Sequence, residues 1–154
     1  MLQLLCAFLA APASPDWSDE FEGASLDLNK WQAPTMNRQG DQSRWDPALV
    51  SVRDGCLVLK VRKTKDETPR FACGAVRSRK DYDPKQTMFA QRYGRFEARV
   101  RLPKHLRTDV WFAFWIMAGD IRDGQTDSRK GTEIDIMESF NAFEGKVSRA
   151  FHWG

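Results

Sequence analysis

Three carboxylates stand close together in Gly131-Thr132-Glu133-Ile134-Asp135-Ile136-Met137-Glu138-Ser139. Neighbouring carboxylates can divide a reaction, one attacking or holding charge while another carries the proton. On a regular strand Glu133 and Asp135 share one face, and Ile134 and Ile136 point into the core. Glu138 follows Glu133 by an odd offset, which sends it to the opposite face. A one-residue bulge near Ile136-Met137 restores parity. The two glutamate Cα atoms then stand roughly 13 Å apart, at about 3.3 Å per residue. Side chains leaning together bring the carboxyl groups to roughly 5 Å, the spacing of a retaining glycosidase pair. Such carboxylates repel one another, so at least one is expected to hold a proton near neutral pH. An acidic, solvated strand face or a calcium site draws on the same residue types, and the spacing by itself leaves both open.

The segments around this motif read as strands. Val50-Ser51-Val52 runs into the turn signal Asp54-Gly55. Leu57, Leu59 and Val61 alternate with Val58, Lys60 and Arg62. Phe96, Ala98, Val100 and Leu102 alternate with Arg95, Glu97, Arg99 and Arg101. Trp111 to Met117 is almost wholly apolar and short, which favours a strand buried on both faces. Val147 to Trp153 forms a final run. No long stretch keeps the apolar spacing of a helix, so an all-β sandwich or barrel is expected. The polar stretch 118–130 reads as a rim loop.

Composition narrows the class. The chain has 154 residues, 42% hydrophobic and 29% charged, which excludes a disordered or collagen-like protein. Lys and Arg number 24 against 21 Asp and Glu, a surplus too small to argue for nucleic acid. No apolar run reaches the roughly 18 residues of a membrane span. Residues 1–13 carry no charge and end in Ala11-Pro12-Ala13, the pattern of a signal peptide with cleavage before Ser14. A secreted or periplasmic protein is therefore expected. Without that leader two cysteines remain, Cys56 and Cys73, flanking an expected hairpin. Antiparallel pairing there would set the thiols opposite one another as a disulfide, and two buried thiols are the equal alternative.

Glu133-Ile134-Asp135-Ile136-Met137-Glu138 resembles the signature of family 16 glycoside hydrolases, in the version with an extra bulge residue. Further pieces fall in the family's order. Asp19-Glu20-Phe21-Glu22-Gly23, Leu26-Asp27 and Trp31 resemble its N-terminal segment. Asp54-Gly55-Cys56-Leu57 and Gly74-Ala75-Val76-Arg77-Ser78 resemble its next strands. Tyr93-Gly94-Arg95-Phe96-Glu97-Ala98-Arg99 and Trp111-Phe112-Ala113-Phe114-Trp115 resemble two more, with Phe112 where proline is usual. His152-Trp153-Gly154 resembles the strand after the catalytic one.

The resemblance implies a jelly-roll β-sandwich of two curved antiparallel sheets, with a sugar cleft on the concave face. It implies retaining endo-hydrolysis of a β-linked polysaccharide by a monomer that requires no cofactor. Glu133 would be the nucleophile, Glu138 the acid/base, and Asp135 the residue that holds Glu133. Trp111 and Trp115 would stack on sugar, and His152 would line the cleft. A structural calcium near Glu20 and Glu22 is a weaker implication. The family's domain is longer, so residues 14–154 are expected to be its N-terminal part. Three rivals share these residues or most of them: a transglycosylase, a carbohydrate-binding relative without chemistry, and a hydrolase of red-algal galactan. The Lys and Arg between Arg77 and Arg107 would suit the last if they reach the cleft.

Overall fold

The computed structural model describes residues 16–37, 43–65, 69–80, 84–103, 110–118, 132–139 and 146–153. Residues 1–13, which were expected to be a signal peptide, and most of the stretch 118–130 lie outside these residues. Among the described residues the chain is all-β, with nine strands and two 3-10 turns (Pro47–Leu49 and Pro84–Gln86). No described helix is long and apolar enough to cross a membrane.

The strands are β1 (Met36–Asn37), β2 (Ser43–Trp45), β3 (Val50–Arg53), β4 (Cys56–Leu59), β5 (Val61–Lys63), β6 (Phe71–Cys73), β7 (Phe112–Met117), β8 (Glu133–Ser139) and β9 (Ser148–His152). They form three sheets, ordered β1-β2-β6-β5, β3-β4 and β7-β8-β9. All pairings are antiparallel except β2 with β6, which is parallel. This one pairing departs from the expected purely antiparallel sheets.

The β3–β4 hairpin closes on Asp54 and Gly55, both at positive φ (54° and 68°), as a two-residue turn of the I′ type demands. The alternation from Leu57 to Arg62 is not one strand. The backbone N–H of Lys60 donates to Leu49 O at 3.0 Å, and that of Gly74 donates to Lys60 O at 2.8 Å. The chain thus leaves β3 and joins β6 at Lys60. A Cβ on Gly74 would lie 2.5 Å from Leu49 O, so only glycine lets the two backbones approach there. Leu49, Val52 and Ala72 are the buried apolar residues around this crossing. Nearby, Thr64 is buried with its hydroxyl donating to Pro69 O at 2.8 Å.

This crossing also decides the cysteines. Cys73 lies across from Val61 in β5, whereas Cys56 lies across from Arg53 in β3. The two cysteines thus stand in different sheets, each opposite a different strand, and not opposite one another as a bridge requires. The expected Cys56–Cys73 bridge is not formed. Neither is in a disulfide; Cys56 is exposed, and Cys73 is half-buried with its thiol donating to the Arg44 backbone carbonyl at 3.5 Å.

Two further expectations are corrected. Residues 95–102 join no ladder among the described residues, and Val100 is 49% exposed. Alternation makes a strand only where a neighbouring edge can accept its hydrogen bonds. The strand β7 is present but half-buried rather than buried on both faces.

Near the N-terminus, Trp17 stacks on Phe89 at 4.8 Å and meets Trp31 edge-on at 4.9 Å. The Trp31 indole donates to Asp19 Oδ2 at 2.8 Å. This aromatic cluster anchors the first described segment.

Candidate active site

The strand β8 is the centre of its sheet, held by β7 on one side and β9 on the other. Across the β7 ladder, Glu133 pairs with Met117, Asp135 with Trp115, Met137 with Phe114 and Glu138 with Ala113. Two β8 steps from Asp135 to Met137 therefore oppose one β7 step from Trp115 to Phe114. Ile136 is the extra residue. The β9 ladder breaks at the same place, with Asp135 across from Ala150 and Glu138 across from Ser148. The expected bulge is thus present in both ladders.

Its consequence follows from parity. Ala113, Trp115 and Met117 alternate along one face of β7, so their partners Glu138, Asp135 and Glu133 share the corresponding face of β8. The other side holds the apolar row Ile116, Ile134 and Phe151. Central placement fixes this facing, because a slip would have to break two ladders at once.

Asp135 is the buried member, 3% exposed, and its Oδ2 lies 2.9 Å from Nε2 of His152. His152 stands across the β9 ladder from Glu133. Ligand atoms of Glu133, Asp135 and His152 all fall within 4.8 Å of one another. Two carboxylates and one imidazole suit calcium poorly, since that ion takes six to eight oxygens. Glu20 and Glu22 are exposed and belong to no such group among the described residues.

Trp111 and Trp115 fall on the carboxylate face. Trp115 is half-buried across from Asp135. Trp111 is 64% exposed, and its indole N–H donates to Glu138 Oε1 at 2.8 Å. The sequence offered both as sugar platforms but not Trp111 as a partner of Glu138; the shared parity of residues 111 and 113 was the available signal. Ser148 was also missed. Its hydroxyl donates to the Glu138 backbone carbonyl at 3.4 Å, tying the bulged residue to β9. On its outer end the β7–β8 hairpin is closed by Ala118 N donating to Thr132 O at 3.1 Å.

No protein-family model matches the chain. Individual relatives do. The chain is 29% identical over 158 residues to glucan endo-1,3-beta-glucosidase A1 of Niallia circulans, a match that covers 90% of this chain and 22% of that protein. It is 33% identical over 139 residues to beta-porphyranase D of Zobellia galactanivorans, covering 82% and 30%. Its fold matches the catalytic domain of an endo-1,3-beta-glucanase (laminarinase) from Thermotoga petrophila with a TM-score of 0.72 and 26% identity. That match covers 90% of this chain and 56% of the other.

Over most of its length the chain is similar to family 16-like glycoside hydrolases.

The chain spans less than a third of each of the two curated relatives and just over half of the laminarinase chain. The jelly-roll sandwich class expected for it agrees with the laminarinase fold. Among the described residues the chain presents a bulged carboxylate strand between two flanking strands.

Proposed function

We propose that this chain carries the catalytic strand of a retaining endo-hydrolase of β-linked polysaccharide, with β-1,3-glucan or mixed-linkage β-glucan as substrate. The observation that carries this is the bulge at Ile136, which puts Glu133 and Glu138 on one face with Asp135 between them. The glucanase and laminarinase relatives support the substrate class. The porphyranase relative favours a red-algal galactan as the second reading.

Glu133 attacks the anomeric carbon, and the bond to the leaving oxygen breaks as Glu138 gives that oxygen its proton. Glu138, now ionised, takes a proton from water, whose oxygen displaces Glu133 from the same carbon. One water is consumed, and two inversions leave the configuration retained. Asp135, buried and bonded to His152, orients the nucleophile next to it. Two carboxylates complete this cycle without a cofactor. Trp115 and the exposed ring of Trp111 supply apolar faces for sugar. Export from the cytoplasm belongs to the same proposal, supported by the uncharged stretch 1–13 and its Ala11-Pro12-Ala13 ending.

A reducing-sugar assay of the full-length protein over β-1,3-glucan, mixed-linkage glucan, agar, porphyran and carrageenan tests the substrate. Proton NMR of the first products tests the stereochemistry. The β anomer is expected first, from one of the glucans. Activity on galactans alone would replace the first substrate by the second, and an α anomer would overturn the retaining mechanism.

A further inference from the structure

Resting on the assignment of Glu138 as acid/base, we infer that Trp111 is a positioning residue for that carboxyl group, acting through its indole N–H as well as its ring. Three observations converge. The residue directly across from Glu138 is Ala113, whose methyl group leaves the space above the carboxylate open. Trp111 lies one side-chain repeat further along the same face, where a long aromatic side chain reaches the diagonal neighbour. Its Nε1 then meets Glu138 Oε1 at 2.8 Å, a short bond for a nitrogen donor.

The chemistry of the donor gives this bond a specific effect. An indole N–H only donates. Oε1 therefore accepts, and because a carboxyl group's carbonyl oxygen accepts more strongly than its hydroxyl oxygen, the bond favours the acid proton on Oε2. The same bond persists when Glu138 is ionised, since a carboxylate oxygen also accepts. Trp111 thus holds the group through both halves of the cycle, first as acid and then as base. It also fixes which oxygen faces the leaving group. The bulge makes this contact, because in an unbroken alternation of residues 133–138 Glu138 would face away from Ala113 and Trp111.

The test uses Trp111→Phe and Trp111→Ala in the full-length protein, with two substrates. One is the polysaccharide, whose alcohol leaving group needs a proton. The other is a dinitrophenyl glycoside of the corresponding disaccharide, whose leaving group does not. For Trp111→Phe, kcat/KM on polysaccharide should fall by about tenfold or more, the worth of one hydrogen bond to a charged group. The fall on the aryl glycoside should be about tenfold smaller, and KM for polysaccharide should stay within about twofold of wild type. Turnover of the aryl glycoside also reports that the variant is folded. Trp111→Ala should add a rise in KM as the ring is lost. Equal losses on both substrates, or no loss in Trp111→Phe, would overturn the positioning role. Glu138→Gln separates the two levels. If it leaves polysaccharide hydrolysis intact, the assignment of Glu138 fails. If it abolishes hydrolysis while Trp111→Phe behaves as wild type, only the role of Trp111 fails.

Discussion

Asp135 and His152 face each other across β8 and β9, with Oδ2 2.9 Å from Nε2, the carboxylate buried and the imidazole side chain 61% exposed. An ionised carboxylate only accepts, so in that state Nε2 carries the proton. The exposed ring thereby gives the most buried carboxyl group of the site a hydrogen-bond partner from outside. His152 also stands across from Glu133, so the pair anchors the strand at the proposed nucleophile.

Removing the ring leaves Asp135 short of a partner. A buried polar group that loses its partner costs about 1–3 kcal/mol. His152→Ala should therefore lower kcat/KM by roughly 5- to 100-fold, with similar losses on polysaccharide and activated aryl glycoside, because both need an oriented nucleophile. A variant as active as wild type on both substrates would show that Asp135 does not depend on His152.

The bulge makes a separate prediction about spacing. Deleting Ile136 changes the Glu133–Glu138 offset from odd to even, and a regular strand then keeps all three carboxylates on one face. Hydrolysis should survive within about thirtyfold of wild type. Deleting Ile134 while the bulge at Ile136 stays turns Glu133 to the face opposite Asp135 and Glu138. That variant should lose at least roughly 10²-fold in activity, because the nucleophile no longer reaches the anomeric carbon. Equal inactivity of two folded deletion variants would mean that the bulge itself, rather than the facing it restores, is required.

The fold around Gly74 predicts a stability effect away from the site. A methyl group there meets the Leu49 carbonyl at 2.5 Å, and backbone yields poorly. Overpacking of this kind costs about 1–3 kcal/mol. Gly74→Ala should lower Tm by several degrees while leaving kcat/KM per folded molecule near wild type. An unchanged Tm would show that β6 does not approach Leu49 as described.

What the sequence disclosed follows the range of the interactions involved. The alternation of Glu133 to Ile136 and the odd position of Glu138 are local, and they sufficed to find both the strand and its bulge. Asp54-Gly55 named its hairpin because two positive φ angles leave few residue choices. The cysteine pairing failed because Leu57 to Arg62 reads as one strand. Its division at Lys60 depends on Leu49 and Gly74, which are distant in the chain. Phe96 to Leu102 shows that periodicity reports a face, whereas a ladder also needs a partner. The Trp111–Glu138 bond was missed because parity gives only the face, whereas the contact also needs the β7–β8 register that sets Ala113 across from Glu138.

The central claim is that Glu133 attacks and Glu138 carries the proton. The most direct measurement is the configuration of the glycosyl azide formed when sodium azide is added to Glu133→Ala and Glu138→Ala of the full-length protein. The substrate is an activated aryl β-glycoside, whose leaving group departs without a proton. In Glu138→Ala the glycosyl-enzyme still forms on Glu133, and azide needs no general base to displace it. The predicted product is the β-glycosyl azide. In Glu133→Ala, azide enters from the side the nucleophile vacated, and the predicted product is the α-glycosyl azide. The opposite pair of configurations would reverse the two assignments, and two alanine variants as active as wild type would reduce the strand to an acidic surface.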